Sequence, residues 1–535
     1  MLRAICLASF AAAALAAGAA VAVPSAIPPV APAPAPAPTA PAAGDAAPPP
    51  INTLSHNAQS ALRDLSSISA EMRAGQVEDA ATRLRVLLPS PDYAELPPAF
   101  AHIGYLMLAN IDARAGRLDE AETAVRSATA SPAATPADFQ EQMLIGLARR
   151  DAREALQSLT TIAQRFPTAL AGLNDNLVFA VYGAAAGAPD GQALRFQLVQ
   201  ALLAANWRPR DPFNDTSPMI VEQAVELIDH GDLAGARGLI GRVDEAGPMV
   251  GPRADNRFAP ILATDPAAFD LVALNERYLA KVDAAAAGAP GLLVGVRDKA
   301  AALVAIGRFD EALKLLDAAL AKAQPADGSA PAYIDTEGEL ADVLAMRARA
   351  LAGLGRYDEA LTTMVRAANR PEAGHINLTQ RLALARLQVS MGKAADALAT
   401  LDVLAPSDLS PAGQVAVADI RVCAEAALGD HAAAQTALAA VRARGYLDPG
   451  AVVDASACAG DIDGAAATIV ALLGDPVRRL QIITWAQTLK EPPQPPGPHP
   501  NADERRALLL ARPDVQAALA KVGKIESAPL YRMNF

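Results

Sequence analysis

Aromatic residues are scarce in this chain, 4% of its 535 residues, with only two tryptophans. With 52% hydrophobic residues overall, that balance suits Ala/Leu-rich helical packing better than a β-sandwich. Cysteine is nearly absent: Cys6, Cys423 and Cys458, with no Cys-x-x-Cys pair from which to build a zinc framework. The histidines (His56, His102, His230, His375, His431 and His499) are scattered and none forms His-Glu-x-x-His. No Gly-x-Ser-x-Gly elbow and no Gly-x-x-x-x-Gly-Lys-Ser/Thr phosphate loop occurs. Positive and negative residues are interspersed, the net charge is −12, and no basic stripe offers itself to nucleic acid. No cofactor, metal ion or catalytic constellation is therefore expected.

What the chain does have is one returning phrase. Gly-Arg-Phe-Asp-Glu-Ala-Leu stands at Gly307–Leu313, Gly-Arg-Tyr-Asp-Glu-Ala-Leu at Gly355–Leu361, and Gly-Arg-Leu-Asp-Glu-Ala-Glu at Gly116–Glu122. Weaker copies begin at Gly75, Gly231, Gly392, Gly429 and Gly460, and another has Arg150 in place of the glycine. Five places on, every copy has alanine: Ala80, Ala121, Ala155, Ala236, Ala312, Ala360, Ala397, Ala434 and Ala465. Nine places on, every copy is aliphatic: Leu84, Val125, Leu159, Ile240, Leu316, Met364, Leu401, Leu438 and Ile469.

Each part of the phrase has a physical reading. Glycine ends one helix, because the turn needs a backbone conformation costly for other residues. The Asp-Glu pairs open the next helix, where acidic groups complement its positive end. They are helix starts, not paired catalytic carboxylates. The alanine permits close approach of a neighbour, and the aliphatic residue four places further lies on the same face. Each unit is thus a helix–turn–helix hairpin that cannot bury its apolar face alone.

These residues resemble the tetratricopeptide repeat family, whose period is 34 residues, the interval between Gly116 and Arg150. The family's first-helix pattern is kept at Tyr105-x-x-Leu108-Ala109 and as Ala300, Ala348 and Ala385, whereas its second-helix aromatic is aliphatic here. The resemblance covers most of residues 60–475 and implies an all-α fold, an α-solenoid of hairpin repeats. The wide gaps from Arg150 to Gly231 and from Gly231 to Gly307 would each hold two units, one of them degenerate.

The ends differ from the array. Met1-Leu2-Arg3, the apolar stretch Ala4–Ala20 and the small residues Ala20-Val21-Ala22 read as a signal peptide over 1–22, and its style points to export into a bacterial periplasm. An uncleaved membrane anchor is the rival. Residues 23–52 form a disordered Pro/Ala-rich linker, a semi-stiff spacer. Irregular repeats are expected over 53–246, an inter-array segment over 247–285, regular repeats over 286–490, and a Pro-rich break with a helical tail over 491–535. Ala205–Pro218 and Gly247–Ala268 both break the rhythm, and the second is taken as the boundary. In the tail, Asn501 and Glu504 have capping-box spacing, Pro513 starts a further helix, and Leu530–Phe535 is expected to be extended and to cover the solenoid's open end.

Cys423 and Cys458 lie about one repeat apart but differ in register by roughly one helical turn, so they are expected to remain unpaired. His230 and His431 flank turns and read as C-terminal helix caps. In the resembled family ligands lie in a groove lined by first helices. Counting back from the turn glycines, that groove would present Arg297, Arg349 and Arg386, three guanidiniums able to clamp a carboxylate. The alternative is that they pair with nearby Asp298, Asp342 or Asp419. The resulting expectation is a non-catalytic envelope scaffold binding a protein or peptide, an acidic one if the arginines carry recognition. It would contact membrane only through an uncleaved signal peptide. An enzyme or binding protein acting on cell-wall or surface glycans, and a self-assembling envelope component, stay open, as does the oligomeric state.

Overall fold

The computed structural model describes residues 49–535 apart from 186–189, 212, 325–329, 372–375, 407–408, 496, 498–500 and 533–534. The expected signal peptide, most of the Pro/Ala-rich linker, His375 and His499 lie outside the described residues. Those described fall into two compact units, divided between Arg210 and Asp211.

The nine copies of the phrase are nine turns of one kind. Gly75, Gly116, Gly231, Gly307, Gly355, Gly392, Gly429 and Gly460 have φ between 73° and 84°, and Arg150 takes the same left-handed conformation at 61°. After each, the next amide bonds back to the carbonyl five residues earlier, as in Arg117 N to Asp112 O (2.9 Å) and Lys393 N to Gln388 O (2.8 Å). This closure satisfies the last carbonyls of the first helix and reverses the chain. Asn206, at φ 53°, ends Gly191–Ala204 in the same way, with Trp207 N bonding to Leu202 O.

The second helix then starts in one of two ways. Asp151, Asp232, Asp430 and Asp461 accept from the backbone amide three residues on. Where Gln76, Arg117, Arg308, Arg356 or Lys393 holds that place, acidic residues fill the first turn instead. Both neutralise the exposed amides of a helix N-terminus. All nine alanines of the phrase and their nine aliphatic partners are at most 1% exposed.

In the first unit, the hairpins His56–Arg73/Val77–Leu87, Pro98–Arg114/Leu118–Thr129 and Pro136–Ala148/Ala152–Arg165 are followed by the helices Asp175–Ala184 and Gly191–Ala204. Buried His102 contacts Asp138 at 2.9 Å, and Asp138 also receives the Thr135 amide in a capping box.

The second unit begins with Ser217–Asp229/Leu233–Ile240. Here the structure corrects an expectation. The gap before Gly307 holds no second left-handed turn. It holds the short helices Val250–Ala254 and Ala259–Thr264, joined by 3-10 turns, and then the lone helix Leu271–Gly288. Pro248, Pro252, Pro260 and Pro266 chop the segment, since each removes a donor and starts or stops helix. The hairpins Leu293–Ala305/Phe309–Ala323, Thr336–Gly353/Tyr357–Ala368, Leu378–Ser390/Ala394–Asp402, Pro411–Ala427/His431–Ala443 and Pro449–Cys458/Ile462–Gly474 follow. Their first helices pack in succession, and each second helix packs on the next first helix.

The stretch Gly247–Ala268 is not a boundary. Val250–Ala254 packs against Arg479–Ala486, Lys524 N bonds to Ala254 O at 3.1 Å, and Arg253 pairs with Glu526 at 2.9 Å. The beginning of the second unit is therefore closed onto its end, and the division falls at the other irregular stretch, Ala205–Pro218.

Candidate functional site

Cys423 and Cys458 are joined in a disulfide, against the expectation that they stay apart. Their Cα atoms lie 4.9 Å apart, within bonding range. Counting from the turn put them one helical turn out of register. The bond places the two residues side by side, so position counted from the turn does not report level between these two first helices. His230 caps Ser217–Asp229 through Nδ1 to Glu226 O (2.7 Å), as read, but His431 opens His431–Ala443 rather than closing a helix.

The tail folds as its capping signals require. Asn501 and Glu504 form a capping box at the head of Ala502–Leu510, and Pro513–Val522 follows. The described part of Leu530–Phe535 does not cover an open end. Ser527–Tyr531 (β2) pairs in parallel with Thr488–Lys490 (β1) and lies against the lone helix Leu271–Gly288 and the first helix Leu293–Ala305. The local cause is Gln487, almost wholly buried. Its Nε2 donates to Ile483 O (2.7 Å) and Lys524 O (3.1 Å), and its Oε1 accepts the Glu526 amide (2.8 Å). Thr488 N to Glu526 O (3.0 Å) and Arg532 N to Lys490 O (2.8 Å) close the ladder.

Tyr531 of β2 and the residues that follow β1 together cover three neighbouring hairpin turns. The Tyr531 ring stands edge-on to Phe309, centroids 4.9 Å apart, directly over Gly307, where any Cβ would run into it. Pro493 lies over Gly355, and its carbonyl accepts from the Tyr357 hydroxyl at 2.6 Å. Gly497 presses on Ser390 and Gly392.

The three arginines picked from the sequence have separate fates. Arg349 donates through Nε to the Phe535 main-chain carbonyl at 2.8 Å, and burial pulls its guanidinium below the ordinary value. Arg297 is held by Asp298 (2.8 Å) and Glu339 (2.7 Å), with Asp342 at 3.8 Å. Around it burial raises Glu339 to about 7, and burial with Asp215 raises Glu245 to about 8. Arg386 stands 3.9 Å from buried Asp419, which burial and the neighbouring Asp454 raise to about 8. This face is thus a mixed-charge surface, and among the described residues Arg349 is the one of the three bonded to a main-chain carbonyl.

Among the described residues, no group of histidine, cysteine and acidic side chains could hold a metal ion, and no helix is long and apolar enough to cross a membrane. A polar cleft of about 290 Å³ in the first unit is lined by Arg126, Gln142, Glu154 and Ser158. These side chains bond to one another: Arg126 to Glu154 at 3.0 Å, Gln142 to Glu154 at 3.2 Å, Ser158 to Gln142 at 3.1 Å.

The nine left-handed turns, their buried alanines and the stacked first helices decide the fold. It is a tetratricopeptide-type α-solenoid. No family model matches the chain, and no curated protein is similar to it at a significant level. Among solved structures, a tetratricopeptide repeat protein from Parabacteroides merdae is similar at 10% identity, over 61% of this chain and 98% of its own, with a TM-score of 0.30. The Cut9–Hcn1 hetero-tetramer of the APC/C is similar at 12% identity, 77% and 86% coverage and a TM-score of 0.28. Yeast Tom70 is similar at 13%, 79%, 99% and 0.23. The assignment of this tetratricopeptide-type array rests on its own repeat geometry.

Proposed function

We propose that this chain is an exported, non-catalytic scaffold that binds a protein partner as an extended segment on the first-helix face of its second unit. The observation that carries the reading is that this face already holds such a segment, with Tyr531 over Gly307 and Phe535 on Arg349. Extended main chain keeps its N–H and C=O groups available. A surface offering a short strand, an aromatic slot and a guanidinium holds polypeptide of that kind and performs no reaction on it. The bacterial periplasm is the proposed location. The positive start and apolar stretch of residues 1–22 support export, and the Cys423–Cys458 bond supports an oxidising compartment. The Pro/Ala-rich residues 23–52 would hold the array away from its surroundings.

A photo-crosslinking residue at Arg386, in cells, tests the scaffold. A discrete cross-linked protein that disappears with Arg349→Glu supports it. Cross-links confined to copies of this chain, or none, overturn it. Alkylation of Cys423 and Cys458 in unreduced cells tests the location: rapid labelling of both would exclude an oxidising compartment.

A further inference from the structure

We propose that Ser527–Arg532 and Phe535 are a built-in stand-in for that partner: they fill its slot, and the partner is another protein presenting an extended segment with an aromatic side chain and, four residues on, a main-chain carbonyl or carboxylate. The inference rests on the scaffold reading above and goes on to define its ligand.

Besides the burial of Ala528 and Leu530 and the Arg532 side-chain bond to Gln487 O (2.8 Å), three kinds of contact hold the tail, and each could be supplied by a different chain. The first is main-chain pairing with β1, reinforced by the side-chain amide of Gln487. The second is the slot at Gly307. A ring fits there because the turn has no side chain, and Phe309 forms its wall. The space a Cβ would take at Gly75, Gly116, Gly231, Gly429 and Gly460 is open, so a turn covered by a ring sets Gly307 apart from them. The third is Arg349. Arg297 is surrounded by carboxylates, whereas Arg349 feels the charge of Asp342 but has no acidic side chain within ion-pair distance among the described residues, and its described acceptor is a carbonyl 186 residues away. A guanidinium drawn partly out of water needs an acceptor in that position, and the tail supplies it.

The hold is weak enough to exchange. A two-stranded sheet is marginal by itself, and although Ala528 and Leu530 are buried, Tyr531, Arg532 and Phe535 are only half-buried. What keeps the tail seated is its tether, which presents it at an effective concentration of order millimolar. A partner in trans must match that figure, and loosening the tail raises its apparent affinity by the fraction of slots set free.

The probe is a fluorescent peptide of residues 524–535, Lys-Ile-Glu-Ser-Ala-Pro-Leu-Tyr-Arg-Met-Asn-Phe, titrated by anisotropy into the full chain. Expected is weak binding to wild type and binding at least tenfold tighter to Phe535→Ala and Tyr531→Ala, the gain being lost when Arg349→Glu is added. Equal affinity for wild type and both variants overturns the inference, as does a gain that survives Arg349→Glu. Should Tyr531→Ala fail to fold, Phe535→Ala loses only one half-buried ring. Hydrogen exchange at Leu530 and Tyr531 in wild type is a second readout: saturating peptide should speed it, and unchanged exchange would sink the proposal. A wild-type dimer abolished by Phe535→Ala would make the occupant a second copy, against the proposal. A partner cross-linked at Arg386 equally in wild type and Phe535→Ala removes the stand-in and leaves the scaffold. Its absence from both removes the scaffold itself.

Discussion

Cys423 and Cys458, 35 positions apart in sequence, tie the first helices of two successive hairpins together. In the chain-entropy account a loop of that size gives about 4 kcal/mol of stability, chiefly by restricting the unfolded chain. Reduction, or Cys423→Ser with Cys458→Ser, should therefore lower the denaturant midpoint of the second unit. Amide protection should fall over Pro411–Ala427 and Pro449–Cys458 first, because repeat arrays lose structure locally. An unchanged midpoint under strong reductant would mean that the bond contributes nothing.

Arg150 holds a left-handed place that glycine holds in the eight other turns. The conformation costs an L-residue roughly 1–2 kcal/mol. Arg150→Gly should thus be neutral to stabilising by about 1 kcal/mol, after the greater freedom of glycine in the unfolded chain is subtracted. The reverse change, Gly116→Arg, should cost about 1–2 kcal/mol. Thermal unfolding of the two variants decides it, and shifts of the same sign would contradict the turn assignment.

The array was legible because its constraint is local and repeated. Glycine at the turn, alanine five places on and an aliphatic four beyond that are each fixed within one hairpin, so nine copies testify to the same geometry. The tail site was not, because its contacts join residues more than a hundred positions apart: Arg349 with Phe535, Tyr357 with Pro493, Phe309 with Tyr531. One signal was available. In a chain so poor in aromatics, only the copies at Gly307 and Gly355 carry an aromatic two places after the glycine, and both of those rings meet the tail. Cys423 and Cys458 misled for a related reason. Register within a hairpin does not report the offset between hairpins.

Ala360 is fully buried, as its equivalents in the other copies are. Ala360→Leu adds three carbons where the second helix Tyr357–Ala368 approaches its neighbours, and overpacking of that kind costs about 1–3 kcal/mol. Met364→Ala, one turn further on the same face, leaves a cavity instead and should cost about 2–5 kcal/mol. Both losses should show in denaturant unfolding. Tolerance of Leu at Ala360 would mean that the small residue reflects composition and not packing.

Glu141 gives the first unit a pH dependence whose sign follows from its position. It is 3% exposed on Pro136–Ala148, and its Oε2 has no hydrogen-bond partner among the described residues. Burial raises it from 4.5 to about 7, partly opposed by a hydrogen bond from Asn110 and the charge of Arg114. Below pH 4.5 the carboxyl is protonated both folded and unfolded, and its contribution is complete. Between about 4.5 and 7 the unfolded chain releases this proton while the folded chain keeps it, so stability falls as pH rises. Above 7 both forms are ionised and the loss is constant, on the order of 3 kcal/mol. Glu141→Gln keeps an acceptor for Asn110 and never ionises. It should raise stability by about 1–3 kcal/mol at pH 8 and by almost nothing at pH 4. A gain of equal size at both pH values would show that shape, and not the buried charge, is what the glutamine changes.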